Sequence, residues 1–263
     1  MLDICLLGTG GMMPMPSRFL TAMLARLNGR LALIDCGEGT QVTMKMLGWG
    51  FKAIDVICFT HFHADHISGL PGLLLTIGNA GRTEPLMLIG PVGLQRIVEG
   101  LTLIAPELPF PIEYIELTQD APNPIRVGAF EIHHCPADHM VKCFAYRIDL
   151  KRKGKFDVKK AEQLKLPKPL WNKLQKEGSV EHEGKTYTAD MVMGENRKGI
   201  SVAYCTDSRR LTVLRNSWRA YSFSSAKGCT ARRRKSRRQE KTSTCFFQRR
   251  RAWQKMQTRN GCG

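Results

Sequence analysis

Short apolar blocks recur along residues 1–150, separated by glycines and by stretches with helical spacing. Short apolar runs bounded by turn residues are typical of buried strands, and longer amphipathic stretches are typical of helices. The pattern predicts strands at Leu2–Leu7, Leu20–Leu27, Arg30–Ile34, Val56–Phe59, Leu86–Ile89, Ile112–Leu117, Ile125–Ile132, Cys143–Ile148 and Ile200–Cys205. It predicts helices at Gln41–Leu47, Ile67–Ile77 and Val92–Leu103. Strands that alternate with helices indicate an α/β fold.

The pattern changes at two later points. Residues 150–182 are rich in Lys, Glu and Gln and show little strand pattern, so we interpret them as a protruding insertion. After Leu214 the chain contains no Leu, Ile or Val, and basic runs such as Arg232–Lys235 take their place. A segment without aliphatic residues cannot build a core, so we expect residues 210–263 to be a disordered basic tail that follows a core of residues 1–209.

The net charge of +17 says little about the partner of that core. Residues 208–263 hold 17 of the 40 lysines and arginines and one of the 23 acids, Glu240. Residues 1–207 therefore carry almost no net charge. A basic patch on the core cannot be inferred from the composition of the whole chain.

The cysteines and the N-terminal residues indicate a cytoplasmic protein. The nine cysteines are an odd number and contain no C-x-x-C pair, which is more typical of scattered reduced thiols than of a disulfide framework. The first residues, Met1–Gly8, lack the basic region and cleavage site of a signal peptide. No apolar run approaches the ~20 residues that a membrane helix requires, so we expect no membrane association.

The stretch Thr60–His66 carries three histidines and a carboxylate directly after a predicted buried strand. A turn at that point can direct His61 and His63 at one metal ion, and Asp65 and His66 at a second. Imidazole and carboxylate groups suit Zn²⁺, and two zinc ions ~3.5–4 Å apart can hold an attacking oxygen and a phosphodiester together. Polar groups at the end of an apolar strand are costly unless something binds them, so chance clustering is a poor explanation.

Two further residues complete a ligand set. His139 precedes the predicted strand Cys143–Ile148, and Asp207 follows the strand Ile200–Cys205. A single histidine or aspartate at a strand end is usually structural, so neither would be assigned on its own. Asp35 and Glu38 are candidates for holding the metal loop in place.

These motifs resemble the ribonuclease Z family of the metallo-β-lactamase superfamily. The resemblance covers about residues 1–209 and rests on H-x-H-x-D-H with the following Ile67–Leu73, and on four further motifs. These are Gly8–Gly11 with Pro16 and Arg18, Asp35–Gln41, Gly90–Leu94, and His139 seven residues before Tyr146.

The resemblance implies a metallo-β-lactamase fold, an αβ/βα four-layer sandwich of two sheets with helices outside. It implies His61, His63 and His139 on one zinc ion, Asp65 and His66 on the other, and Asp207 between them, with Asp65 as the proton acceptor. The implied reaction is hydrolytic removal of 3′ trailers from precursor tRNA, which leaves a 3′-OH. The insertion at 150–182 resembles the family's tRNA-binding arm, and the family implies a cytoplasmic homodimer.

The chain departs from the family after Asp207. The family carries a further histidine ligand on the second zinc ion, and this sequence has no histidine after His182. We expect weak occupancy of the second site and little activity. Because similarity ends where arginines replace aliphatic residues, we interpret residues 210–263 as the product of a reading-frame shift. The fold would then be incomplete at its C-terminal side, and resequencing the locus tests this hypothesis.

Two other functions remain open. Another dinuclear zinc phosphodiesterase would use the same ligands but would have no need of the insertion at 150–182. A catalytically defective RNA-binding remnant of ribonuclease Z would keep the insertion and lose cleavage. Comparing RNA binding with RNA cleavage separates these alternatives.

Overall fold

A six-stranded sheet forms the larger half of the core in the computed structural model, which describes residues 2–13, 15–105, 107–152, 154–195 and 197–208. Its strands are β1 (Leu2–Gly8), β2 (Ala22–Leu27), β3 (Arg30–Ile34), β4 (Ile54–Cys58), β5 (Leu86–Pro91) and β6 (Ile112–Leu117). They lie in sequence order across the sheet. The first three pair antiparallel and the last four pair parallel, and each parallel pair is joined by a crossover that contains a helix or a longer loop.

The turn between β2 and β3 closes a tight hairpin. Leu27 pairs with Arg30, so Asn28 and Gly29 form a two-residue loop. Both loop residues have positive φ, 51° and 82°, which asparagine and glycine adopt more readily than other residues. This turn fixes the register of the first hairpin.

Three helices cover one face of this sheet: α1 (Thr40–Leu47), α3 (Leu70–Asn79) and α4 (Leu94–Leu101). A short helical turn, α2 (Ala64–Ile67), precedes α3. Helix α3 connects β4 with β5 and α4 connects β5 with β6, which are the crossovers that parallel strands need. Their apolar sides share one core with Leu31 and Leu33 of β3.

The opposite face of the sheet is buried as well. Ala32 and Ile34 on β3 are at most 1% exposed, although they alternate with the residues that face the helices. A second sheet, in the order β12-β9-β8-β7, covers this face. Its strands are β7 (Ile125–Val127), β8 (Phe130–Ala137), β9 (Cys143–Arg152) and β12 (Arg197–Tyr204). The buried Tyr146 hydroxyl on β9 donates to the Phe59 carbonyl oxygen at 2.7 Å and joins the two sheets.

Two sequence predictions of single elements were wrong. The predicted strand Ile125–Ile132 is a hairpin of β7 and β8, because Gly128 adopts φ 54° and reverses the chain. The predicted helix Ile67–Ile77 is broken at Gly69, where α2 ends and α3 begins. Pro71 in the first turn of α3 is a start signal for a new helix.

Residues Leu150–Ile200 form a second compact unit, longer than the insertion predicted at 150–182. It contains α5 (Val158–Gln163), α6 (Lys168–Glu177) and the hairpin of β10 (Ser179–His182) with β11 (Lys185–Thr188). The unit has a small core of its own, which includes Ala161, Leu174 and Val192. The Asp157 carboxylate caps α5 by accepting from the Lys159 and Lys160 amides.

The predicted basic tail at 210–263 lies outside the described residues, and so does the predicted incompleteness at the C-terminal side. Among the residues that the structure describes, no helix has the length and apolar character to cross a membrane.

Candidate metal centre

The H-x-H-x-D-H segment begins where β4 leaves the sheet. His63 is extended and directly precedes the short helix α2, which carries Asp65 and His66. The loop after β3 holds this segment through its backbone. The Cys36 amide donates to the His66 carbonyl at 2.7 Å, and the Gly69 amide donates to the Cys36 carbonyl at 2.9 Å. The C-terminal end of α2 is therefore fixed against the loop after β3 before any metal binds.

Glycine is required where these two loops meet. A Cβ atom at Gly69 would lie 2.2 Å from the Gly37 carbonyl oxygen, and one at Gly37 would lie 2.4 Å from the Asp65 carbonyl oxygen. Real Cβ atoms do not come this close to backbone atoms. The contact between the loops thus depends on the absence of side chains.

We expect Gly69→Ala to destabilise the protein and weaken metal binding. Overpacking of a closely fitted site costs about 1–3 kcal/mol of unfolding free energy. Urea denaturation of the metal-free protein measures the loss. The matched control is Gly100→Ala in α4, where a Cβ would meet nothing within 4 Å, and where alanine stabilises a helix by up to ~1 kcal/mol. Equal stabilities of the two variants would contradict the close approach.

Three histidines form the first ligand group. The His61 Nε2 and His63 Nδ1 atoms lie 3.0 Å apart, and the His139 Nε2 and His63 Nδ1 atoms lie 3.3 Å apart. His139 reaches this position from the loop between β8 and β9, 76 residues after His63. The turn after β4 and the loop after β8 therefore converge on one point.

The spacing of these nitrogens fits a shared zinc ion. Ligand nitrogens at ~2.0–2.1 Å from a tetrahedral zinc ion lie about 3.3 Å from each other. The two distances above are close to that edge length. Neutral imidazole nitrogens are also the donors that zinc commonly takes, so the group fits the metal in both chemistry and size.

The second group consists of His61, His66 and Asp207. The His66 Nε2 atom lies 2.9 Å from Asp207 Oδ2, and the His61 Nε2 atom lies 3.6 Å from the same oxygen. His61 thus belongs to both groups. Its Nε2 atom stands between the three-histidine group and the Asp207 carboxylate, so two metal ions here would lie side by side.

Asp65 lies at the edge of the second group. Its Oδ2 atom is 3.8 Å from His66 Nε2, and its side chain is 12% exposed. The carboxylate is therefore next to the ligand atoms and still open to solvent. A group in that position can orient a water molecule or accept a proton.

The pKa values of the neighbouring histidines His61 and His66 differ sharply. Burial, and then the nearby His66, lower the pKa of His61 to about 3. Burial also opposes the charging of His66, but Asp35 and Asp207 outweigh it and raise its pKa to about 10. The pKa of Asp207 is lowered because its hydrogen bond with His66 and the charge of His66 outweigh the effect of burial. In the metal-free protein His66 is the cation that holds the carboxylates together.

A buried polar layer lies behind the ligands. The Asp35 Oδ2 atom accepts from His66 Nδ1 at 2.8 Å, and Asp35 Oδ1 accepts from the Thr60 amide at 2.8 Å. Asp35 is fully buried and adopts φ 59°, a left-handed conformation that aspartate tolerates better than most residues. The sequence suggested Asp35 as a residue that holds the metal loop, and these contacts describe how it does so.

The structure brings the six candidate ligand residues into one region. Five of them form the two ligand groups, and Asp65 lies beside the second group. The six residues are His61, His63, Asp65, His66, His139 and Asp207. The Asp138 amide donates to Ser208 Oγ at 3.3 Å, which links the loops that carry His139 and Asp207. Sequence analysis did not single out Thr60 or Thr206. Their only signal was a position directly before a candidate ligand.

A further group of Glu131, His133 and Asp149 lies on β8 and β9. Both oxygens of Asp149 accept from the Arg147 guanidinium, at 2.9 and 2.8 Å. That cation already compensates the carboxylate, so we assign no metal to this group.

Comparisons with known proteins agree with this geometry. A ribonuclease Z from Lachnospira eligens is 55% identical over 214 residues, which span 81% of this chain and 70% of that protein. One from Agathobacter rectalis is 57% identical over 211 residues, or 80% of this chain and 69% of that protein. The chain belongs to the ribonuclease Z family. The resemblance identified from the motifs is thereby confirmed.

Ribonuclease Z proteins are metal-dependent endoribonucleases, so this family is one of hydrolases. The fold is the metallo-β-lactamase fold, and its two sheets and one outer helix layer are seen among the described residues. The human short-form tRNase Z structure has 30% sequence identity and a TM-score of 0.49, and the match covers 56% of this chain and 64% of that one. Residues 2–98 also match the family model of the anti-Pycsar protein Apyc1.

Proposed function

We propose that this chain is a zinc-dependent endoribonuclease that removes 3′ trailers from precursor tRNA, with cleavage after the discriminator nucleotide. The observation that carries the proposal is that the three-histidine group lies next to the pair of His66 and Asp207, with Asp65 beside them. Two adjacent ions can hold both the attacking and the leaving oxygen of a phosphodiester. Membership of the ribonuclease Z family supports RNA as the substrate.

One zinc ion would be held by His61, His63 and His139, and the other by His66 and Asp207 with Asp65 alongside. Zinc supplies Lewis acidity at such a site: it stabilises negative charge on phosphate oxygens and makes water acidic near neutral pH.

Asp65 would take the proton that the attacking water loses. Its carboxylate is partly exposed and adjoins the second ligand group, so it can reach a water molecule in line with the phosphodiester. Attack at phosphorus breaks the P–O3′ bond, and the departing O3′ gains a proton. The products are a tRNA with a 3′-OH and a trailer with a 5′-phosphate.

The compact unit Leu150–Ile200 would bind the body of the tRNA away from the cut. Lys155 and Lys159 are exposed there, and both line a cavity of about 420 Å³ together with Arg197. Cationic side chains that contact phosphates read the shape of RNA and not its sequence. A small-substrate phosphodiesterase would not need this unit, which favours tRNA over the alternative substrates.

The proposal also places the protein in the cytoplasm as a homodimer, as the family resemblance implies. Sedimentation analysis of the purified chain tests the dimer: a species of twice the chain mass is expected, and a monomer at micromolar concentration would reject it.

The decisive experiment combines zinc content with cleavage of a precursor tRNA that carries a 3′ trailer. We expect one tightly bound zinc ion, a second that binds weakly, and slow cleavage after the discriminator. Asp65→Asn should lower the cleavage rate by a further ~10²–10⁴-fold, because it removes the proton acceptor. Asp3→Asn is the matched control, since Asp3 on β1 pairs with Arg26, outside the two ligand groups and outside the unit Leu150–Ile200.

The outcomes separate the proposals. A chain that binds precursor tRNA and zinc without cutting would be a catalytically defective remnant of the family. A chain that binds neither would contradict the proposed function. Two tightly bound zinc ions with rapid cleavage would contradict the expected weakness of the second site.

A further inference from the structure

The Thr60 side chain occupies the centre of the buried layer behind the ligands. It is fully buried, and its Oγ1 atom lies 3.0 Å from His61 Nδ1 and 3.4 Å from His66 Nδ1. The same atom lies 3.0 and 2.9 Å from the two oxygens of Asp35. One hydroxyl thus contacts His61, His66 and the Asp35 carboxylate that accepts from His66.

We propose that Thr60 is a positioning residue that selects the metal-binding nitrogen of His61 and, with Asp35, couples the two ligand groups. The inference rests on the proposed metal centre and adds a determinant that lies outside the ligand set.

The hydrogen-bonding capacity of the Thr60 hydroxyl, which donates once and accepts twice, determines where the protons around it lie. A carboxylate only accepts, so the Thr60 proton must go to Asp35. Both lone pairs of Thr60 Oγ1 can then accept hydrogen bonds from other groups. The Thr206 hydroxyl donates to one at 3.4 Å, and the Nδ1–H of His61 is in place for the other at 3.0 Å.

This arrangement determines which nitrogen of each imidazole ring is unprotonated and can bind metal. A neutral histidine carries its proton on one nitrogen only, so a donor at Nδ1 of His61 leaves Nε2 free to bind metal. In the metal-free protein His66 donates from both nitrogens, from Nδ1 to Asp35 Oδ2 at 2.8 Å and from Nε2 to Asp207 Oδ2 at 2.9 Å. When metal binds, the Nδ1–H held by Asp35 would stay and Nε2 would lose its proton, so in both rings Nε2 would be the metal-binding nitrogen.

The contacts also explain why the two groups should respond together. The Asp35 carboxylate receives both the Thr60 hydroxyl and His66, so a change at Thr60 reaches the second group through one shared residue. Thr206 directly precedes Asp207, and its hydroxyl bond to Thr60 ties that end of the second group to the same atom.

The test compares Thr60→Val, which keeps the shape and removes the hydroxyl, with Thr60→Ser, which keeps the hydroxyl. Zinc affinity is measured by competition with a chromophoric chelator. Loss of such an outer partner typically lowers metal affinity by ~10–100-fold, so we expect a fall of that size for Thr60→Val at both groups. Thr60→Ser should stay within about threefold of the unchanged protein, since the acceptor is retained.

A second measurement does not depend on any variant. Nitrogen-15 NMR of the zinc-loaded protein reports which ring nitrogen of His61 and His66 carries the proton. We expect Nδ1–H in both rings. A proton on His61 Nε2 would overturn the proposal even if Thr60→Val failed to fold.

The remaining outcomes are equally distinct. Zinc affinity in Thr60→Val equal to that of the unchanged protein would overturn the role of the hydroxyl. A folded Thr60→Ser variant as weak as Thr60→Val would assign the effect to packing and would also overturn it. Absence of zinc binding by the unchanged protein would reject the metal centre itself, and with it the proposed function.

Discussion

Replacing His61 with alanine is expected to weaken zinc binding mainly at the three-histidine group, because its Nε2 atom has one lone pair for one ion and lies 3.0 Å from His63 Nδ1, against 3.6 Å from Asp207 Oδ2. Structural zinc sites with four ligands bind with apparent free energies of about 10–16 kcal/mol, so one ligand is worth roughly 2.5–4 kcal/mol, or ~10²–10³-fold in affinity. Calorimetric zinc titration of the metal-free protein measures both sites. The site of His66 and Asp207 should lose much less affinity.

His139→Ala is the informative comparison for this prediction. His139 contributes only to the three-histidine group, so its removal should weaken one site and leave the group of His66 and Asp207 intact. His182→Ala should change neither. If His61→Ala and His139→Ala weakened different sites, the assignment of both histidines to one ion would be wrong.

The clustering of the candidate ligands could be predicted from sequence to the extent that they lie close together in the chain. Four of the six candidates stand within Thr60–His66, and a turn after a buried strand leaves them few directions to point. The other two, His139 and Asp207, come from distant strand ends. Their convergence depends on the second sheet, so spacing along the chain could not predict the 3.3 Å and 2.9 Å contacts.

The fold was predictable wherever a local signal decided it. Asn28-Gly29 determines a hairpin because both positions need positive φ, whatever the rest of the chain does. The break at Gly69 has a local signal in Pro71, but it also coincides with the close approach of Gly37, more than thirty residues earlier, which the sequence does not reveal. Helical spacing continues through such a break, so the periodicity alone favoured one helix.

Arg82 illustrates the limit of composition rules. Arginine is usually exposed, yet Arg82 is 1% exposed. Its guanidinium donates to four backbone carbonyls, those of Lys52, Ile54, Glu84 and Pro85, next to the starts of β4 and β5. Satisfied hydrogen bonds make this burial possible, and the partners are carbonyl groups that no side-chain pattern reveals.

The metal-free fold should depend strongly on Asp35. The variant Asp35→Asn keeps the shape and the tolerance for φ 59°, but it removes the charge that holds His66 at 2.8 Å. Breaking a buried ion pair by neutralising one partner costs about 3–5 kcal/mol, because the other is left buried without compensation. We expect a loss of that size in the free energy of unfolding, measured by urea denaturation in the presence of a chelator.

Asp3→Asn provides the control, because Asp3 pairs with Arg26 at 2.9 Å on a partly exposed strand. Exposed pairs contribute only about 0–1 kcal/mol, so this variant should unfold almost as the unchanged protein does. A loss at Asp35 no larger than at Asp3 would mean that the buried layer is not held by charge. In that case the position of His66 in the metal-free protein would have to come from packing of the loop Cys36–Gly37 against α2, and Gly69→Ala would become the more damaging substitution.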